Sequence, residues 1–128
     1  MTIRELQKQA FENAKAKGFI REDAPPEHID QKLLMIVGEL VEAQNELRAG
    51  VQPQKVYYPE SIIRNEAENI SIDPRRVLKP EGFGIELADA QIRLAELAEY
   101  AGIDLEHLVE LKMAYNATRE FRHGGKKF

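Results

Sequence analysis

The residues of this chain whose types and spacing could do chemistry are carboxylates. Glu39, Glu42 and Glu46 recur at intervals of three and four, so a helix sets them on one face. Glu86 and Asp89 are three apart, with Arg93 one turn further on. Two such helices packed side by side would bring Glu39, Glu42, Glu86 and Asp89 together. Like charges at that distance repel, and burying them unpaired costs on the order of several kcal/mol each. A hard divalent cation relieves the repulsion, and oxygen-only ligands suit Mg²⁺ or Mn²⁺ rather than zinc. Glu39 and Glu42 lie beside Leu40 at the edge of an apolar stripe, and Glu86 directly precedes Leu87, positions that helix packing half-buries. Each pair alone has a plainer explanation. Glu39 and Glu42 fit a solvated helix face, and Glu86 and Asp89 fit a helix N-terminus through its dipole.

A second set is basic. Lys112, Asn116 and Arg119, with Tyr115 beside them, fall on one helical face at spacings of four and three. Lys and Arg with a fixed amide make a cradle for a polyphosphate. From Lys112 to Phe128 five basic residues stand against Glu120 alone, in a chain whose net charge is −4. The plainer alternative is a flexible basic tail over 123–128, where Gly124-Gly125 favours mobility. No Walker A run and no Gly-x-Gly-x-x-Gly is present, so a bound nucleotide is not held by a P-loop. A bundle di-iron site wants Glu-x-x-His on two helices, and Asp104-Leu-Glu-His107 is the lone unit of that kind. His28, His107 and His123 share no ligand spacing and read as surface residues.

These side chains need elements to position them. The 128 residues, 43% apolar and 31% charged, are expected to form one domain over 1–128. The first helix is predicted over Ile3–Lys17, closed by Gly18, and the second over Glu27–Ala49, closed by Gly50. Ile29, Leu33, Ile36, Val37, Leu40 and Leu47 give the second helix its period, with Gln44 breaking it. The third is predicted over Ile85–Ala101, with Leu87, Ala90, Leu94, Leu97, Ala98 and Ala101 as a wide buried stripe. Asp104 caps a fourth, carrying Leu105, Leu108, Val109, Leu111 and Met113 and fading near Arg119. The stretch 51–84 is a long loop holding Pro53, Pro59, Pro74 and Pro80. A short helix over Glu60–Asn69 and a strand over Gln54–Tyr58 are open within it. The class is all-α, most simply a four-helix bundle, and a chain this short would need a partner subunit to cover exposed apolar helix faces.

Composition excludes other classes. The negative net charge rules out a polycation that coats nucleic acid by charge alone. Without cysteine there is no disulfide scaffold, thiolate metal site or Cys nucleophile. No run of about 18 apolar residues is present, and Met1-Thr-Ile-Arg-Glu5 lacks the apolar core of a signal peptide. The expected setting is the cytoplasm, with no nucleic-acid or membrane partner.

Four segments carry a resemblance: Asn13–Phe19, Gly38-Glu-Leu-Val-Glu-Ala43, Lys79-Pro-Glu-Gly-Phe-Gly-Ile-Glu-Leu-Ala-Asp89, and Tyr115-Asn-Ala-Thr-Arg-Glu-Phe-Arg-His-Gly-Gly-Lys-Lys127. Together they resemble the MazG-like, all-α nucleoside triphosphate pyrophosphohydrolases over nearly the whole chain. The resemblance implies metal-dependent hydrolysis of a (deoxy)nucleoside triphosphate to the monophosphate and pyrophosphate. It implies Mg²⁺, replaceable by Mn²⁺, on Glu39, Glu42, Glu86 and Asp89, and assembly as a homodimer or homotetramer. It also places Lys112 and Asn116 near the phosphates, and Asn13, Lys17 and Phe19 near sugar, phosphate or base. Water would attack the α-phosphorus, oriented by Glu42 or Glu39. Lys112, Arg119 or a tail residue from a neighbouring subunit would neutralise the leaving pyrophosphate. The base leans to a deoxypurine such as dGTP, with dUTP and dCTP behind it.

Two departures stand out. Gly38 occupies a position where many members carry a further acid, which either removes one metal ligand or shifts its duty to Glu46, and 51–84 is longer than the usual link between the motifs. The rival reading is a non-catalytic helical oligomerisation or regulatory module. Within the enzyme reading, the runner-up is housecleaning of non-standard nucleotides.

Overall fold

The computed structural model describes residues 1–20, 26–59 and 78–119. Among these are four helices: α1 (Ile3–Ala16), α2 (Pro26–Arg48), α3 (Phe83–Tyr100) and α4 (Leu105–Ala117). The expected all-α class holds. No strand occurs among the described residues; where one was open over Gln54–Tyr58, Tyr57 makes a single antiparallel bridge with Glu81. The short helix expected over 60–69 and the basic tail over 123–128 lie outside the described residues. The chain divides into two compact units, Met1–Pro25 with Ala95–Phe128, and Pro26–Leu94.

Local chemistry sets the helix ends of the first unit. At α1 the Thr2 hydroxyl accepts from the Glu5 N–H at 3.0 Å, and the Glu5 carboxylate accepts from the Thr2 N–H at 3.2 Å. This reciprocal capping box satisfies two donors that a helix start otherwise leaves open. Gly18, at φ 79°, ends α1 in the left-handed region. Asp104 caps α4 by accepting from the His107 N–H at 3.3 Å, and Arg4 on α1 donates to both of its oxygens. Ala10 and Ala14 on α1 and Ala95, Leu97 and Ala98 on α3 are buried. Gln7 is buried too. Its amide donates to Glu99 and to the Ile103 carbonyl, and its oxygen accepts from the Leu105 N–H. One polar side chain thus fixes the turn between α3 and α4 to α1.

The second unit is thinner. Ile36 and Ala43 on α2 and Ala90 on α3 are its buried apolar residues. Leu33, Val37, Leu40 and Leu47, predicted as the apolar face of α2, are all more than 40% exposed. The wide buried stripe expected on α3 is narrower than its sequence suggests. Ala90, Leu97 and Ala98 are buried, whereas Leu87, Leu94 and Ala101 are exposed. On α4 no residue is buried, and Leu108, Leu111 and Met113 face solvent. Periodicity reports a face able to be buried, and a single short chain offers too little opposing surface to cover every such face. No helix among the described residues is long and apolar enough to cross a membrane.

Candidate metal centre

Helix α2 presents Glu39, Glu42 and Glu46 on successive turns, and the first turn of α3 presents Glu86. Oxygens of Glu39, Glu42 and Glu86 lie within 4.8 Å of one another. Oxygens of Glu46, Glu81 and Glu86 meet the same limit, so Glu86 belongs to both groups. Asp89 is part of neither trio, although it feels the charges of Glu39 and Glu42.

Glu86 is the most constrained of these groups. The residue is only 6% exposed, and its Oε2 is buried with no hydrogen-bond partner among the described residues. Burial, then hydrogen bonds with Glu39 and Glu42, then the charges of Glu42 and Asp89 push its carboxyl up to about 8. Glu86 therefore holds a proton at neutral pH. Asp89 is raised as well, chiefly by burial and the Glu39 charge. Glu39 goes the other way. Burial raises it, but the Arg93 guanidinium and hydrogen bonds within the cluster outweigh that and hold it below the usual carboxylate range. Arg93 Nε donates to Glu39 Oε1 at 2.7 Å, with the Glu39 side chain 13% exposed.

Beside the trios lies a cavity of about 330 Å³, lined by Glu42, Asn45, Glu46, Tyr57, Glu81 and Glu86 together with Ala49 and Val51. The Tyr57 hydroxyl donates to both oxygens of Glu46 at 2.8 and 2.9 Å, and this bond raises the phenol pKa. The backbones of Tyr57 and Glu81 exchange hydrogen bonds of 3.0 and 2.8 Å. Gly82, at φ 137°, sits so close to the Lys55 carbonyl that a Cβ would collide with it. That approach sets the start of α3 against the segment after α2, and with it Glu81.

The donor set is carboxylate oxygens from two or three elements, one of them orphaned and buried. That chemistry fits a hard divalent cation, which would supply the missing partner in place of the Glu86 proton.

The remaining candidates lie in the first unit. Asn13 and Lys17 are exposed at the C-terminal end of α1, and Phe19, just beyond, is 72% exposed. Lys112, Tyr115, Asn116 and Arg119 are exposed on and just beyond the C-terminal half of α4. Lys112 Nζ stands 4.9 Å from the Tyr115 ring centroid, a cation–π contact that confirms a shared face. Sequence spacing pointed to Glu39, Glu42 and Glu86. It assigned nothing to Tyr57 or Glu81, which only a bridge between distant segments brings to Glu46.

No protein-family model, curated protein or solved structure matches the chain.

Proposed function

We propose that this protein hydrolyses a (deoxy)nucleoside triphosphate to the monophosphate and pyrophosphate, as a MazG-like pyrophosphohydrolase using Mg²⁺ with Mn²⁺ able to replace it. The observation that supports this reading is the convergence of Glu39, Glu42 and Glu86 around a buried, unpartnered carboxylate oxygen. Glu39, Glu42 and Glu86 hold the cation, with Asp89 in the same field. The cation, when bound, polarises phosphate oxygens and lowers the pKa of water.

The chain's own groups do the rest. Glu42, exposed and lining the cavity, orients the attacking water and takes its proton. Glu39, paired with Arg93, stays ionised and fixed in direction. Water oxygen bonds to the α-phosphorus as the bond from that phosphorus to the bridging oxygen breaks, and the electron pair leaves with pyrophosphate. In this reading Lys112 and Asn116 serve the phosphates, Asn13, Lys17 and Phe19 serve sugar, phosphate or base, Arg119 serves the leaving pyrophosphate, and Tyr115 is a further nucleotide contact. The substrate leans to a deoxypurine triphosphate such as dGTP, with non-standard nucleotides as the runner-up. A homodimer or homotetramer is supported by the uncovered α2 face, where Val37, Leu40, Val41, Leu47, Phe83 and Leu87 line an apolar groove.

The test is a panel of nucleoside triphosphates with Mg²⁺ and with Mn²⁺, products resolved. Monophosphate plus pyrophosphate from one or a few substrates is the expected result. Diphosphate plus phosphate would place attack at another phosphorus. No turnover, with no rise in Tm on adding metal, would assign the chain to a helical interaction module, which the exposed α2 face also fits.

A further inference from the structure

We propose that the cavity beside Glu42 and Glu86 reads the base of the nucleotide, and that Asn45 and Glu46 select guanine there, with Tyr57 as a positioning residue. This rests on the reading above for the substrate class and goes beyond it in naming the base and the side chains that choose it. The cavity, of about 330 Å³, falls in the size range of small-molecule pockets. Ala49, Val51 and Tyr57 give it apolar surface, and no lysine, arginine or histidine lines it. An anionic triphosphate tail gains nothing from such a lining, whereas a flat neutral group rich in N–H donors does. Glu46 follows Glu42 by one helical turn, about 6 Å along α2. The base end of the ligand thus lies one turn beyond the end that meets the cation.

Guanine fits the polar groups by hydrogen-bond type. Its pairing edge carries two adjacent donors, N1–H and the N2 amino group, followed by the O6 acceptor. A carboxylate only accepts, and it has about four acceptor sites. The Tyr57 hydroxyl donates to both Glu46 oxygens at 2.8 and 2.9 Å, which takes part of that capacity and fixes the direction of the rest. Two acceptors side by side remain, the complement of N1–H and N2–H. The Asn45 amide, next along α2, lines the same cavity and makes no hydrogen bond among the described residues, so its N–H is open to O6. Glu81 is already paired, with Lys79 Nζ at 3.1 Å from its Oε1. Adenine and cytosine set a ring-nitrogen acceptor beside their amino group, and uracil and thymine flank a single N–H with two carbonyls. Each of these turns an acceptor toward the Glu46 carboxylate, and an acceptor facing an acceptor leaves both unsatisfied.

The experiment compares turnover of dGTP with that of dITP, which lacks only the N2 amino group, and calorimetric binding of dGMP with that of dIMP, all with Mg²⁺ and the full-length protein. The wild type is expected to favour dGTP in kcat/KM by roughly 10–100-fold, the worth of one hydrogen bond to a charged group. Glu46→Gln is expected to erase most of that margin while binding Mn²⁺ as the wild type does, a combination that loss of a cation ligand or of the fold would not give. Tyr57→Phe keeps both reading groups and is expected to narrow the margin part of the way, which serves if Glu46→Gln does not fold. Asn45→Ala, at an exposed position, is expected to weaken dGTP and dITP alike, because both keep O6. Equal turnover of dGTP and dITP by the wild type, or a margin that survives Glu46→Gln, overturns the base assignment and leaves the hydrolysis standing. Loss of Mn²⁺ binding in Glu46→Gln would also overturn it, by making Glu46 a cation ligand. No turnover of any nucleotide, with dGMP still bound more tightly than dIMP and that difference lost in Glu46→Gln, keeps the assignment and removes the hydrolysis. No turnover and no such difference removes both.

Discussion

Glu86 is buried among like charges, and this sets how the metal-free protein responds to pH. In the unfolded chain its carboxyl titrates near the ordinary value, whereas in the folded chain it is raised to about 8. Between those values the unfolded state gives up its proton first, so the folded state loses stability as pH rises through about 8. Glu86→Gln, which is never ionised, should remove that loss. In the presence of a chelator at pH 9 the variant should be more stable than the wild type by roughly 1–3 kcal/mol, the cost of an unsatisfied buried group. The two should converge near pH 5. Melting curves at both pH values check this, and parallel pH dependence would contradict it. Lys112 belongs to a different kind of prediction. It is exposed on α4 with its ammonium over the Tyr115 ring. Lys112→Ala should lower kcat by about tenfold or more while Mn²⁺ binding stays unchanged. Equal activity in the variant removes Lys112 from the site.

The helices themselves were largely legible in the sequence. Asp104 and the glycines at 18 and 50 mark ends by local chemistry, and both glycines adopt positive φ, whereas the Thr2–Glu5 capping box emerged only from the structure. The neighbourhood of Glu39 and Glu42 was legible for the same reason, since helical spacing is local. What spacing could not reveal is non-local. Nothing near Glu81 announces that its backbone pairs with Tyr57, or that Arg93 selects Glu39 as its partner. Gly82 is the hinge of that hidden arrangement. A Cβ there meets both a φ of 137° and the Lys55 carbonyl, so Gly82→Ala should destabilise the protein by about 1–3 kcal/mol. Gly84, two residues on, has open space around it, and Gly84→Ala should be neutral or stabilising by up to about 1 kcal/mol. Urea midpoints of the two variants test the contrast, and equal midpoints would mean that Gly82 is not what sets the start of α3.

For the molecule as a whole, the helix periodicity overstated how much a single chain can bury. Leu33, Val37, Leu40 and Leu47 repeat as a core face, yet all are more than 40% exposed. On the proposed homo-oligomer a second copy would bury that face, which no other helix among the described residues covers. Leu40→Glu should therefore convert a dimer or tetramer to a monomer in sedimentation or light scattering. A half-exposed side chain costs the isolated chain about 0.5 kcal/mol or less on such a change. An unchanged mass would place the subunit contact elsewhere. The proposed function is sharper still: that this chain directs water to the α-phosphorus of a nucleoside triphosphate. Turnover in ¹⁸O-labelled water, followed by ³¹P NMR of the products, tests that claim most directly. The label should appear in the nucleoside monophosphate and not in pyrophosphate, and Glu86→Gln should abolish its incorporation. Label in pyrophosphate or orthophosphate, or no incorporation from any substrate, would contradict the assignment.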